Sequence, residues 1–236
     1  MKIKWYNTID STFSAMENGK ESLTHKEVWA ARFQRAGKGQ KGNVWSSREG
    51  ENLMFSIFLV HKEILARHQF GISQAISLGV CDYLRQKGVT ASIKWPNDIY
   101  VGESKICGIL IQNTVKGAAL QDSIVGIGLN INQTDFPEWI PNPTSLKTVT
   151  GGEYIPEDEL VPLLERIFEE YDNLSDDTAR RYMDLLYLKG IRHQYTDTST
   201  GRQFWGTITS VVKDGRLEIK TADGYYRYFA FKEVAY

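Results

Sequence analysis

Cysteine is scarce in this chain, two in 236 residues. Cys81 and Cys107 both fall in apolar patterns. The simplest expectation is buried free thiols in a reducing compartment, with neither a disulfide framework nor a thiolate metal site. An excess of charge is missing too: the net charge is -1, so no overall basic field draws the chain to nucleic acid or to a membrane. No apolar run reaches transmembrane length, and the opening MKIKWYNTID has no signal-peptide core, which makes the cytoplasm the expected location. There is no internal repeat and no low-complexity segment. The G-x-x-x-x-G-K-[ST] pattern of a phosphate-cradling loop does not occur.

What is present is ordinary for a globular protein, with 42% hydrophobic and 24% charged residues. The length suits one large domain, alone or with a small second one. The most informative stretch is 94–112, KWPNDIYVGESKICGILIQ. It opens on a polar corner in which Pro96 restricts Trp95, and Asn97 and Asp98 offer turn-forming side chains. A short extended piece, 99–101, precedes a turn at Gly102-Glu103-Ser104, and the apolar run after Lys105 reads as a buried strand. The pair is expected to be a hairpin with a three-residue turn. Taken alone, Lys105 is better read as a lysine that keeps its ammonium in solvent while its stem covers apolar surface.

Before this stretch, residues 2–7 alternate like a half-buried strand, with Ile3 and Trp5 on one side. Asp10 or Ser11 is placed to cap a helix running through Phe13, Ala15 and Met16 to Gly19. The same geometry, hydroxyls and free N–H groups at a helix start, suits polar ligand atoms. A strand over 27–34 runs into RAGKGQKGNVW, where Gly37, Gly39 and Gly42 alternate with Lys38, Gln40, Lys41 and Asn43. Exposed N–H groups beside lysines suit an anion, and composition alone fits a solvated surface loop equally well. Residues 53–60, LMFSIFLV, read as a buried strand, and 70–87 as a core helix stopped by Gly88. A short strand at 90–93 leads into the hairpin, and another over 122–131 ends in GIGLNIN. Residues 156–171 and 176–189 carry apolar side chains at helical spacing, the second helix being ended by Gly190. After Ile191 the texture changes to short alternating strands broken by turns, as in a small all-β barrel.

KWPNDI, a spacer and KICGIL, together with AGKGQKGN ending in tryptophan and the early Ser-Thr pair, resemble the signatures of biotin protein ligases. These are the biotin–[acetyl-CoA-carboxylase] ligase family. The resemblance spans nearly the whole chain. It implies an α+β fold: a mixed sheet with packed helices of class II synthetase-like kind over residues 1–189, plus a small C-terminal SH3-like β-barrel over 190–236. It further implies activation of biotin by ATP to biotinyl-5′-AMP, then transfer to a lysine of a biotin carboxyl carrier domain of a carboxylase. By the same match Lys105 and Lys38 are catalytic. Ser11, Thr12, Phe13, Gln34, Lys38, Gly39, Gln40 and Lys105 meet biotin, with Trp45 as apolar wall. Lys94, Asn97, Asp98 and Asn130 face ATP, and Asp98 helps hold Mg²⁺. Two departures stand out: Phe13 replaces the family's common asparagine, and lysines replace arginines at 38 and 41. The family's bifunctional members carry an N-terminal DNA-binding segment, for which the start of this sequence leaves no expected place. A homodimer through exposed strand edges is an open expectation. Two other classes remain in view: a lipoate or octanoate ligase or transferase of the same fold, and a non-catalytic binding module.

Overall fold

Strand β3 (Asn52–Val60) is buried along all but its last residue. A seven-stranded sheet is laid out around it in the computed structural model, which describes residues 1–236 apart from the side chain of Lys41. On one side β3 pairs antiparallel with β2 (Glu27–Gln34), and β2 pairs in parallel with the edge strand β1 (Lys2–Ile9). On the other side lies β7 (Ala119–Asn130), then β6 (Ser104–Lys116), β5 (Asp98–Val101) and β4 (Ser92–Lys94), giving the order β1-β2-β3-β7-β6-β5-β4. The sheet is therefore mixed, with one parallel pair.

Alternation along the strands assigns the two faces. Leu53, Phe55, Ile57 and Leu59 of β3, with Val125 and Leu129 of β7, join the main core. That core is shared with α2 (Phe70–Gln86) and α4 (Pro156–Asp172). The two helices approach closely at Gly79, where a Cβ would stand 2.5 Å from the Cα of Ile167. The intervening positions face the other way. Phe58 and Ile124 pack there on Phe13 and Met16 of the short α1 (Thr12–Asn18). A further short helix, α3 (Leu146–Thr150), follows β7.

Two expectations are corrected. The β5–β6 turn has two residues, not three, because Val101 pairs with Ser104; Gly102, with φ of +59°, takes the left-handed position such a tight turn requires. The helix expected over 176–189 ends early, as α5 (Asp176–Asp184). Beyond it the chain leaves the helix in a series of turns and covers the open edge of β4: Ile93 N donates to Leu185 O at 2.8 Å, and Tyr187 N donates to Ile93 O at 2.9 Å. Backbone groups on a sheet edge need partners. The Leu185 carbonyl and the Tyr187 N–H supply them while the Leu185 and Leu186 side chains still face the core, so the apolar spacing resembled a helix.

The last strands are β8 (Arg192–Asp197), β9 (Arg202–Val211), β10 (Leu217–Thr221), β11 (Tyr226–Phe229) and β12 (Val234–Ala235). They form a separate antiparallel sheet in the order β11-β10-β9-β8-β12, the small SH3-like unit. It is tied to the polar corner by Trp95, whose indole N–H donates to Gly215 O at 2.9 Å.

Candidate active site

A cavity of about 700 Å³ opens on the α1 face of the sheet. Its floor exists because β6 and β7 present glycines there. A Cβ on Gly128 would stand 2.3 Å from the Trp45 indole, one on Gly108 2.8 Å from it, and one on Gly126 3.0 Å from the Phe13 ring. Trp45 and Phe13 thus lie flat on the glycines as apolar walls. The Trp45 indole nitrogen is buried there without a hydrogen-bond partner among the described residues.

One end of the cavity is neutral and polar. Ser11 caps α1, its hydroxyl accepting from Ser14 N at 3.3 Å. The next residue, Thr12, donates from its backbone N–H at 2.7 Å and from its hydroxyl at 3.2 Å to Oε1 of Gln34, where β2 ends. The Thr12 hydroxyl also meets the Ser56 hydroxyl at 2.8 Å. With Oε1 so engaged, Gln34 has its N–H₂ to offer. Three segments distant in sequence are joined here by neutral hydrogen bonds, and Ser11, Thr12 and Ser56 are buried.

The other end is cationic. Lys105 at the start of β6 meets Asp98 Oδ2 at 2.7 Å, and both side chains are partly exposed. Lys94, at the end of β4, is paired in register with Asp98. Burial pushes the Lys94 ammonium below its usual pKa and the nearby Lys105 adds to this, while Asp98 opposes it. Tyr100, also on the lining, is pushed up to about 12, by burial first and by Asp98 second. Lys38 stands 3.6 Å from Glu17 of α1 and 6.0 Å from the Phe13 ring.

The glycine loop closes on itself, with Trp45 N donating to Gly37 O at 2.9 Å and Gly39 N to Asn43 O at 2.7 Å. Gln40 lays it on the hairpin, donating to Ile109 O at 3.1 Å and to Asn97 Oδ1 at 2.7 Å. Gly37, Gly39 and Gly42 do satisfy the bare G-x-G-x-x-G spacing. The loop runs into a single 3₁₀ turn and then β3, so the strand–turn–helix context of a dinucleotide fingerprint is missing.

Ser11, Thr12, Phe13, Gln34, Lys38, Gly39, Gln40, Lys94, Asp98, Lys105 and Asn130 all line this one cavity. Asn97 does not: its side chain is buried and its carbonyl is held by Gln40, so it braces the loop rather than facing the opening. Asn130 reaches the lining while its amide donates to Thr144 O at 2.9 Å. The charge of Lys41 lies outside the described side chains. Both thiols are free and buried, and burial pushes each well above the usual thiol range, so neither is a nucleophile. No cluster of three or more His, Cys, Asp or Glu is placed to hold a metal among the described residues.

Sequence reasoning missed part of the wall. Ser56 had a signal, the lone hydroxyl in LMFSIFLV. The floor glycines had one too, Gly126 and Gly128 alternating in a strand. Tyr100 sits in the 94–112 stretch itself, and Trp139 in the Pro- and Trp-rich loop over 133–143 whose composition suits a cover for the adenylate; Tyr236 had no signal, for the residue after β12 reaches the cavity only through tertiary packing.

Comparison with known proteins is consistent along the chain. The model of the biotin/lipoate A/B protein ligase family matches residues 5–130. The bifunctional ligase/repressor BirA of Escherichia coli is 31% identical over 135 residues, covering 57% of this chain and 42% of that protein. BirA of Bacillus subtilis is 24% identical over 237 residues, covering 93% of this chain and 70% of that protein. This chain thus spans well under half of the first relative's length. A biotin protein ligase from Aquifex aeolicus, in complex with biotin and ATP, superposes with a TM-score of 0.80 at 25% identity, over 99% of this chain and 97% of that one.

Proposed function

The chain belongs to the biotin/lipoate A/B protein ligase family, and from that premise we propose that it is an ATP-dependent biotin–protein ligase. The observation that carries this is the single cavity with a neutral hydrogen-bonding end, an apolar glycine-floored middle and a cationic end. Biotin has the same sequence of chemistries: a ureido group, a thioether ring with an apolar tail, and a carboxylate. The ureido oxygen accepts from Gln34 N–H₂ and the Ser11 hydroxyl, and the ureido N–H groups donate to the hydroxyl oxygens of Thr12 and Ser56, whose own hydrogens are engaged with Gln34 and with one another. Phe13, Trp45, Gly126 and Gly128 enclose the middle. The dithiolane ring of lipoate carries no comparable donors and acceptors and would leave the neutral end unpaired, which costs affinity.

At the cationic end a carboxylate oxygen of biotin attacks the α-phosphorus of ATP. A new O–P bond forms as the bond to pyrophosphate breaks, giving the mixed anhydride biotinyl-5′-AMP. Two anions must be held together, so fixed cations supply most of the catalysis. Lys105, at the junction of the hairpin and the cavity, bridges carboxylate and phosphate; Lys38 approaches from the loop and Lys94 from β4. The Lys105–Asp98 pair exchanges one anionic partner for another when substrates arrive. Mg²⁺ takes one or two carboxylates together with phosphate oxygens, so Asp98 fits an ion delivered with ATP but not a resident site. The loop over Gln40 excludes water from the anhydride. A carrier lysine amine then attacks the acyl carbon, forming the amide and releasing AMP.

The partner is a biotin carboxyl carrier domain of a biotin-dependent carboxylase, and the reaction belongs to the cytoplasm. No described helix is long and apolar enough to cross a membrane. Edge strand β1, at the end of the sheet order, offers unpaired backbone groups that suit a homodimer or docking of the carrier by strand pairing. Exchange of labelled pyrophosphate into ATP tests the reading, with biotin, lipoate and octanoate in parallel. Exchange with biotin alone is expected; exchange with lipoate instead, or with no acid at all, overturns it.

A further inference from the structure

Lys94 reaches the cavity between two tyrosine rings. Its ammonium lies 5.0 Å from the ring centre of Tyr100, on β5, and 4.7 Å from that of Tyr236, which follows β12. It also donates to the Tyr100 hydroxyl at 3.4 Å. Each ring is backed by another tyrosine. Tyr187 lies 5.4 Å from Tyr100, held in place because the segment after α5 is hydrogen-bonded to β4. Tyr195 of β8, fully buried, meets Tyr236 edge-on at 5.5 Å.

This arrangement does something an ion pair cannot. A lysine stem has four rotatable bonds and its ammonium is a mobile point charge. A carboxylate would fix it by neutralising it, and would then compete with the phosphates. Aromatic faces attract a cation through their quadrupole and leave its charge available. The Tyr236 hydroxyl is buried and has no hydrogen-bond partner among the described residues, so the ring is the working part.

Resting on the ligase reading above, we propose that Tyr236 is a positioning residue supplied by the small β unit. Its ring holds Lys94 against Tyr100, so that the ammonium is set for the nucleotide phosphates. The second sheet thereby completes the ATP half of the site without touching the reacting atoms.

The test measures the Kd for the Mg²⁺ complex of α,β-methylene-ATP, which cannot be cleaved at the α-phosphorus and so stands in for ATP in every titration below, by calorimetry at saturating biotin, with pyrophosphate exchange from ATP alongside. Tyr236→Phe keeps the ring and is expected within about twofold of the parent. Tyr236→Leu is expected to weaken ATP about tenfold while leaving the Kd for biotin in place. Tyr100→Leu, on the opposite side of the ammonium, should behave alike. In a Lys94→Met background, Tyr236→Leu should add almost nothing, since groups acting through one another are non-additive. An equal loss with and without Lys94, a parallel loss for biotin, or a Phe variant as weak as the Leu variant would each overturn the proposal. ATP binding without biotin-dependent exchange in the parent chain would count against the ligase reading alone, and the Tyr236 comparison would still be decided by the calorimetry.

Discussion

At the neutral end of the cavity, side chains are matched to one another before any ligand arrives: Thr12 to Gln34 and to Ser56, Ser11 to the first turn of α1. At the cationic end, Lys105 and Lys38 are matched only provisionally, to Asp98 and Glu17, through partly exposed ion pairs. The first arrangement is rigid because strand register and a helix cap fix it. Exposed ion pairs are worth little, so the second exchanges partners at small cost. A site that must first recognise a neutral group and then bring two anions together is served by that division. Recognition needs donors already aimed, and catalysis needs charge that is not permanently neutralised.

The sharpest way to break this comparison is Lys105→Ala. If the cationic end carries the chemistry, adenylate formation should fall by about 100-fold or more, with the melting temperature little changed. Single-turnover formation of biotinyl-5′-AMP checks this, and near-normal turnover would remove Lys105 from its role. Gln34→Ala attacks the other end. It strips Thr12 of its acceptor as well as removing a ligand donor, and should raise the biotin KM by roughly 10- to 100-fold with the ATP KM in place; equal effects on both substrates would mean the two ends are not separable. Gly128→Ala tests the floor between them. Its Cβ would meet the Trp45 indole at 2.3 Å, and overpacking of that kind costs about 1–3 kcal/mol, so biotin binding should weaken by roughly tenfold with a changed tryptophan emission. The smallest expected effect is that of Asp98→Asn on folding: under about 1 kcal/mol by chemical denaturation, because the pair with Lys105 is partly exposed. A larger loss would make that pair structural rather than exchangeable.

Much of the site was legible because it lies in contiguous motifs whose chemistry is concentrated. Lys94 through Asp98 and the glycine loop announce themselves by residue type, and the structure brings all of the 94–98 corner but Asn97 to the cavity beside Lys38, Gly39 and Gln40. Asn97 was misplaced for a physical reason: its type says only that it will hydrogen-bond, and Gln40, far away in sequence, decided with what. The segment after α5 was misread because Leu185, Leu186 and Leu188 face the core in either conformation. What settled it was the unpaired edge of β4, which no local pattern records.

The sequence by itself determined the main strands and the helices α2 and α4, the burial of β3 and α2, a helix cap at Asp10 or Ser11, and the cluster of lysines around the polar corner. Those follow from periodicity, capping and residue chemistry, which act over a few residues. Only the tertiary structure decided that Ser56 meets Thr12, that three strand glycines form a floor for Trp45 and Phe13, and that Tyr236 reaches Lys94. These contacts are set by sheet register and by the docking of one sheet on another, interactions between segments far apart in the chain whose individual sequences carry no mark of their partner.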